Sequence, residues 1–305
     1  MTAGAGAQAG VAQRHDPRRG IALMAVVTFV FSLQDALSRH LAEASNTFMI
    51  VTVRYWFFAV FVIVIARAQS GSLRVAARSA QPGVQAARGL LLVAEICILV
   101  WAFTVLGLAA SHAIFAAAPL LVAALSGPLL GERVGWRRWV AIAVGFAGIL
   151  IILRPGAAIF DPMTAVPLLS ALMWALYVIL TRRVQRTDSA ATSFFWTGVV
   201  GAVAMTPLGL WSWEPMSGAD WGWMGLLCVL ACTAHWLLIK TYEVAEASSV
   251  QPFAYLQLVF ATGLGVVLFG EVLEITTVVG SAIVVGAGLF TLWRERVRRI
   301  RELHE

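Results

Sequence analysis

Residues 268–273 read Leu-Phe-Gly-Glu-Val-Leu, and residues 129–134, which lie 139 positions earlier, read Leu-Leu-Gly-Glu-Arg-Val. At the same spacing, residues 140–141 are Val-Ala and residues 279–280 are Val-Gly. The chain therefore contains an internal repeat, and its two halves are expected to have the same fold.

The composition indicates a membrane protein. Of the 305 residues, 60% are hydrophobic and 12% are charged, and the mean hydropathy is +0.84. A soluble domain carries about 25% charged residues, and even a 300-residue soluble domain buries only about 75% of the surface that its unfolded chain exposes. Much of this chain must therefore face lipid. A secreted disulfide scaffold, a disordered chain and a nucleic-acid-binding domain are excluded, despite the formal net charge of +6.

Apolar runs of about 20 residues are long enough to cross a membrane. Ten such runs predict ten transmembrane helices, at residues 20–39, 48–66, 89–107, 110–130, 138–154, 164–182, 191–210, 221–241, 249–270 and 276–293. Five is an odd number, so the two halves must enter the membrane in opposite senses. Inverted repeats of this kind are typical of secondary transporters, whose substrate site lies between the halves.

The predicted fold is accordingly an all-α integral membrane protein with ten transmembrane helices in two inverted five-helix repeats. The first repeat is predicted over residues 20–156 and the second over residues 157–293. A disordered cytoplasmic tail is expected over residues 1–19 and a basic cytoplasmic tail over residues 294–305.

The basic residues predict the orientation. If the N-terminus is cytoplasmic, the cytoplasmic segments receive nearly all of the 22 Lys and Arg residues, Arg88 among them, whereas the external segments receive only Arg39 and Arg154. This distribution follows the positive-inside rule. We therefore expect a multi-pass protein of the cytoplasmic (inner) membrane with both termini in the cytoplasm.

Two segments carry a resemblance to a known family. The segment Gln251-Pro-Phe-Ala-Tyr-Leu-Gln257, continued by Gly270-Glu271, is similar to the second EamA repeat of the drug/metabolite transporter superfamily. The segment that runs from Ala118-Pro119 through Gly131-Glu132 to Arg154-Pro-Gly156 resembles the first repeat. The second repeat has Leu258 where the first has Pro119, so the two bent helices need not be equivalent.

The resemblance covers essentially the whole chain and implies a transporter, not an enzyme, that needs no cofactor. Members of this superfamily include amino-acid and metabolite exporters of the YddG type and uptake carriers for S-adenosylmethionine. The motifs are specific for the superfamily but not for a substrate.

Polar and aromatic residues at membrane depth are the candidates for the transport path, because a charge there costs about 2.5–3.5 kcal/mol. The alternative for each is a packing role or, for Lys240, snorkelling to the lipid headgroups. We expect the substrate to contact Glu95, Trp101, Trp174, Tyr177, His235, Lys240, Tyr255 and Gln257.

Asp35 and Arg54 lie at matching depths in the first and second spans, which predicts an ion pair with a structural or a coupling role. Protons are a candidate coupling ion through Glu95 or Asp35, because a carboxyl group in apolar surroundings readily holds a proton. His112, at the start of the fourth span, is expected to be an interfacial polar residue. No metal site is expected, since the three cysteines lie in apolar runs without metal-ligand spacing.

The leading hypothesis is a secondary transporter that moves a small metabolite by alternating access. Trp101, Trp174 and Tyr255 favour an exporter of amino acids, including aromatic and neutral ones. The alternative is an uptake carrier for S-adenosylmethionine or another organic cation, with Glu95 and Asp35 as counter-charges. An intramembrane enzyme or a channel would need motifs that the sequence lacks, and no GxxxxGK[ST] phosphate loop is present. The chain is expected to be a monomer or a weak homodimer.

Overall fold

The computed structural model describes residues 17–70, 72–131, 135–153, 163, 165–245 and 250–302. These residues form twelve α-helices and contain no β-strand. The helices are α1 (Pro17–Ala44), α2 (Thr47–Ser70), α3 (Leu73–Ala77), α4 (Pro82–Leu106), α5 (Leu108–Phe115), α6 (Ala118–Leu130), α7 (Trp136–Leu153), α8 (Ala165–Val184), α9 (Ala190–Trp211), α10 (Gly218–Val244), α11 (Leu256–Phe269) and α12 (Ile275–Glu302). A 3-10 turn, Gln251–Tyr255, directly precedes α11.

Each of the ten predicted spans coincides with helical structure. In the part of the chain that the structure describes, nine helical stretches are long and apolar enough to cross a membrane, and Trp139–Leu153 within α7 is a shorter apolar helix. The fourth span consists of α5 and α6, and the ninth consists of the 3-10 turn and α11. The prediction of an all-α, multi-pass membrane protein is therefore confirmed.

The start of the first helix differs from the prediction. Helix α1 begins at Pro17, so residues 17–19 are helical and do not belong to a disordered tail. Proline suits the first turn of a helix, where its missing N–H has no acceptor to lose. The rest of the predicted N-terminal tail lies outside the described residues. At the other end, α12 continues to Glu302, so most of the basic C-terminal segment is helical.

The packing of the helices is related by the repeat: the most extensive helix contacts have equivalent contacts with the two halves interchanged. Helix α1 packs on α10, and α4 packs on α8, which are equivalent pairs of spans in the two halves. Helix α2 packs on α9, and α7 packs on α12, so that each of these spans meets its own counterpart. A two-fold axis between inverted halves produces this pattern. Since ten spans alternate in direction, both chain ends lie at one face of the bundle, called here the terminal face, and the opposite face is called the far face.

The fourth and ninth spans are interrupted at equivalent positions. The fourth span breaks at Ala116 and Ala117, between α5 and α6, and the ninth changes from a 3-10 turn to an α-helix between Tyr255 and Leu256. The two breaks are 139 residues apart, which is the repeat spacing. The two spans are therefore interrupted alike, although Leu258 stands in place of Pro119.

Helices α7 and α12 approach each other most closely at two glycines. A Cβ atom on Gly148 would lie 2.9 Å from the Gly280 carbonyl oxygen, and a Cβ atom on Gly280 would lie 2.6 Å from the Gly148 carbonyl oxygen. Only glycine permits two helix backbones to meet at this distance. Gly286, further along α12, has no atom within 4 Å of the position that a Cβ would take.

Replacing Gly280 with alanine is expected to destabilise the protein by about 1–3 kcal/mol, because the added methyl group overpacks the contact with α7. Thermal unfolding of the purified protein in detergent measures the change. Gly286→Ala is the matched control and is expected to leave the stability unchanged or slightly raised, since alanine is the better helix former. Equal losses in the two variants would contradict the proposed contact.

Candidate functional site

One side of α8 carries a row of polar and aromatic residues that face the interior. These residues follow one another at intervals of three or four and therefore lie on one helix face: Ser170, Trp174, Tyr177 and Thr181. The row faces α4, with which α8 packs extensively. Trp174 and Tyr177, both predicted to be site residues, belong to this row.

Glu95 lies in the interior of the bundle, where α4 faces α8. Its side chain is almost fully enclosed, at 2% exposure, and its Oε1 accepts a hydrogen bond of 2.8 Å from the Ser170 hydroxyl. The charges of Asp35 on α1 and Arg54 on α2 also act on it. Asp35 and Arg54, two predicted ionisable residues from two other spans, are thus within electrostatic range of Glu95.

Trp174 provides an aromatic surface one helical turn from Ser170. The centre of its ring lies 6.2 Å from that of Phe115 and 5.4 Å from that of Tyr177. Phe115 is the last residue of α5, so this surface joins α8 to the break in the fourth span. The interior therefore offers both carboxyl groups and flat rings, which suits a ligand that has a charged end and an apolar ring.

Asp35 is bound by side chains from two other spans and not by Arg54. His112 Nε2 donates to it at 3.1 Å, and Gln257 Nε2 donates to it at 3.0 Å. A third hydrogen bond of 3.4 Å comes from the neighbouring Gln34. The expected ion pair between Asp35 and Arg54 is therefore not formed in the structure. The Asp35 carboxylate is occupied by donors from α5 and α11 instead.

His112 is the main polar residue of this cluster whose role the sequence did not indicate. It was expected to be interfacial, but it is only 4% exposed and its ring stacks on Phe103 at a centroid distance of 5.2 Å. Its Nδ1 is one of three enclosed side-chain atoms without a partner in the described part of the chain, together with Gln34 Oε1 and the Tyr255 hydroxyl.

Arg88 lies inside the bundle and not in a cytoplasmic segment, so its expected position is wrong. The cause of the error is that α4 begins at Pro82, well before the predicted span. Its side chain is 1% exposed. All five of its N–H groups donate hydrogen bonds, whose acceptors are Gln85, Tyr177, Thr181, Thr197 and the backbone carbonyl of Ser193. Arg88 therefore ties α4 to α8 and α9.

The surroundings of four other predicted site residues differ from those of Glu95. His235 donates from Nδ1 to the Ala231 carbonyl at 2.8 Å, and its ring contacts Phe31 at a centroid distance of 5.3 Å. Tyr255 packs against the cluster formed by α5, α6, α7 and α12. Trp101 is 43% exposed and, among the residues that the structure describes, has no ring contact of the kind that links Trp174 to Phe115. Lys240 is partly buried near the C-terminal end of α10.

A cluster of charges lies at the far face. Gly270 ends α11 in the left-handed conformation, with φ of +65°, which turns the chain so that Glu271 points back into the bundle. Its carboxylate accepts hydrogen bonds from the backbone N–H groups of Leu108 at 2.6 Å and Ala109 at 2.9 Å, at the start of α5, and it pairs with Arg39 of α1. Glu271, a residue of the repeated motif, thus joins three spans. Its counterpart Glu132 lies outside the described residues.

A second polar cluster lies at the terminal face. Asp188, between α8 and α9, accepts hydrogen bonds from the Ala80 backbone N–H at 2.8 Å, from Gln85 at 2.9 Å and from the Ser79 hydroxyl. Desolvation alone would raise the pKa of Asp188, but these hydrogen bonds outweigh it and hold the pKa below its usual value. The linker before α4 is thereby attached to the linker before α9.

Comparison with known proteins identifies the family. The chain matches the EamA-like transporter family twice, over residues 18–154 and over residues 163–293. It is 25% identical over 277 residues to an S-adenosylmethionine uptake transporter of Rickettsia prowazekii, which covers 90% of this chain and 92% of the relative. It is 28% identical over 291 residues to a riboflavin transporter of Vibrio cholerae, covering 94% and 97% of the two chains.

A third relative and a solved structure extend the comparison. The pseudopaline exporter CntI of Pseudomonas aeruginosa is 23% identical over 273 residues, covering 88% of this chain and 94% of the relative. A solved crystal structure matches with a TM-score of 0.59 and 18% identity, covering 90% of this chain and 96% of its own, and so shares the fold. The three named relatives differ in substrate, and their names include both uptake and export.

The far-face cluster predicts that Glu271→Gln destabilises the protein by about 1–3 kcal/mol, because the variant loses the charge that Arg39 and the α5 N–H groups bind. Thermal unfolding in detergent measures the loss. Glu43→Gln is the matched control, since Glu43 also pairs with Arg39 but is 42% exposed, against 14% for Glu271. An exposed pair contributes about 0–1 kcal/mol, so a control loss as large as that of Glu271→Gln would contradict the role of the cluster.

Arg88→Gln is expected to lower the unfolding free energy by at least about 3 kcal/mol, since it leaves several buried acceptors unpaired. Arg78→Gln, at an exposed position before α4, serves as the control and is expected to change it by less than about 0.5 kcal/mol. Denaturation monitored by tryptophan fluorescence measures both changes. An Arg88→Gln variant as stable as the control would show that the five hydrogen bonds contribute little.

Proposed function

Since the chain belongs to the EamA-like transporter family, we propose that it is a secondary carrier that takes up S-adenosylmethionine, or an organic cation of similar shape, by alternating access. The proposal rests mainly on one observation: Glu95 is bound by Ser170, which lies one helical turn from Trp174, and Asp35 is within electrostatic range of Glu95. S-adenosylmethionine is the substrate named for one of the relatives.

Two carboxyl groups in the interior favour a cationic substrate. Glu95 and Asp35 lie within electrostatic range of each other, and in a low dielectric a carboxylate attracts a cation more strongly than it would in water. S-adenosylmethionine carries a positively charged sulfonium and a flat adenine ring. The sulfonium suits the carboxyl groups, and the adenine suits the surface formed by Trp174 and Phe115.

Amino-acid export is the second candidate. The aromatic surface at Trp174 accommodates a side chain such as that of phenylalanine, and one of the relatives is an exporter. A neutral amino acid carries a single positive group, however, and two interior carboxyl groups exceed what it requires. The amino-acid exporter favoured by the sequence is for this reason placed second.

Proton coupling is proposed at Asp35. A proton on His112 would form an ion pair with Asp35 and reduce its attraction for a cationic substrate, so that proton and substrate would compete for one carboxylate. We propose that the contacts of Glu271 at the far face and those of Asp188 at the terminal face break alternately during transport. The arginine distribution supports a terminal face in the cytoplasm and residence in the inner membrane. The protein is proposed to act as a monomer or a weak homodimer.

Counterflow into proteoliposomes tests the proposed substrate. Vesicles loaded with unlabelled S-adenosylmethionine are expected to accumulate the external radiolabelled compound with saturation. S-adenosylhomocysteine, which lacks the methyl group and the sulfonium charge, is expected to compete at least about tenfold more weakly, since loss of one charged contact is worth roughly that factor. Saturable riboflavin or phenylalanine exchange without S-adenosylmethionine exchange would overturn the proposal.

The variant Glu95→Gln is expected to lower the apparent affinity for S-adenosylmethionine by about tenfold or more. It is also expected to reduce the ratio of the affinities for S-adenosylmethionine and S-adenosylhomocysteine. Glu43→Gln removes the same charge at an exposed position and is expected to change neither value. If Glu95→Gln weakened both compounds equally, Glu95 would act by holding α4 to α8 and not by contact with the cation.

A further inference from the structure

Arg54 is a buried cation whose guanidinium has no partner in the described part of the chain. It lies on α2, two turns from Thr47, and is 9% exposed. None of its nitrogens makes a hydrogen bond or an ion pair, and none belongs to the atoms that are fully enclosed by protein. Its N–H groups therefore keep some accessible surface that a ligand atom could contact. Arg88, by contrast, uses all five of its N–H groups.

The packing of α2 determines which way Arg54 faces. Thr52 donates to the Met205 carbonyl at 3.0 Å, and Trp56 donates to the Thr206 hydroxyl at 2.8 Å, both on α9. Position 54 is two residues from each, which places it about 200° around the helix from them. Phe58, one turn from Arg54 on the same face of α2, contacts Phe194 of α9 at a centroid distance of 4.9 Å and His235 of α10 at 5.7 Å. Arg54 therefore lies on the side of α2 that borders both α9 and α10.

The groups on which the charge of Arg54 acts agree with this direction. Apart from the neighbouring Tyr55 on α2, they belong to α4 and α10: Glu95, Cys97, Cys228, Cys232 and His235. The acidic residues of the interior are bound elsewhere, since Glu95 accepts from Ser170 and Asp35 accepts from His112. The guanidinium is therefore available, and its planar fork of donors matches a carboxylate.

We propose that Arg54 binds the carboxylate of the transported molecule, while Glu95 and Asp35 face its positively charged groups. The inference rests on the proposed function and deepens it, because it defines the substrate as one with a carboxylate as well as a positive charge. S-adenosylmethionine has one carboxylate and two cationic groups, the ammonium and the sulfonium, which are complementary to one guanidinium and two carboxyl groups. Riboflavin has none of these groups.

Binding of two ligands that differ only in the carboxylate tests the inference. Isothermal titration calorimetry on the purified full-length chain compares S-adenosylmethionine with decarboxylated S-adenosylmethionine. The unmodified protein is expected to prefer S-adenosylmethionine by about tenfold or more, and Arg54→Gln is expected to reduce this preference to less than about twofold. Binding of the decarboxylated compound is expected to stay within about threefold of its original value.

Arg54→Lys keeps the charge but loses the fork of donors, so we expect an intermediate preference. Arg67→Gln, an exposed position on the same helix, is expected to leave both affinities unchanged. Thermal unfolding checks that each variant is folded, and if Arg54→Gln does not fold, Arg54→Lys decides the question. The inference is overturned if the Arg54 variant that folds weakens both ligands equally or retains the full preference.

A failure of the proposed function gives a different result. If the unmodified chain binds neither adenosyl compound, S-adenosylmethionine is not the substrate, and the same comparison is made with phenylalanine and phenethylamine, which lacks the carboxylate. Loss of the preference for phenylalanine in Arg54→Gln would then support the role of Arg54. The role of Arg54 would be overturned if the unmodified protein preferred neither S-adenosylmethionine over its decarboxylated form nor phenylalanine over phenethylamine.

Discussion

The hydrocarbon layer offers no hydrogen-bonding partners, so polar groups at membrane depth must find them inside the bundle. The arrangement of the helices follows from this requirement. Arg88 attaches α4 to α8 and α9 through its five hydrogen bonds. Glu95 attaches α4 to α8 again through Ser170. Asp35 joins α1 to α5 and α11 through His112 and Gln257. The polar interior is thus both the connection between spans and the candidate binding site.

The backbone is nearly two-fold symmetric, but the polar residues are not. At the repeat spacing of 139, Arg88 corresponds to Leu227, and Glu95 corresponds to Ala234. The seam between α4 and α8 is therefore polar, whereas the equivalent positions of α10 are apolar. Trp174 corresponds to Asp35, so the aromatic surface in one half is matched by a carboxylate in the other. A symmetric scaffold suits alternating access, while an asymmetric interior suits a substrate whose two ends differ.

Each face of the bundle is held by contacts of a different kind. Glu271 at the far face binds backbone N–H groups of α5 and the Arg39 guanidinium. Asp188 at the terminal face binds the linker that precedes α4. Both clusters lie at the ends of spans, where a small number of hydrogen bonds joins neighbouring segments. A carrier that opens to one side at a time needs such contacts at both faces, because breaking one set leaves the other intact.

The number of spans, their order and the inverted repeat follow from the sequence alone, because hydropathy and repeat spacing are properties of position along the chain. Depth could also be estimated, which is why Glu95, Trp174 and Gln257 were recognised as candidates for the interior. The partners could not be predicted, because depth does not specify how a helix is rotated about its axis or which helix lies beside it. Asp35 and Arg54 share a depth, yet Asp35 bonds to His112, and Arg88 resembled a loop arginine until the start of α4 was known. Only helix packing determines which side chains come within about 3 Å of one another, and this decided the composition of the site.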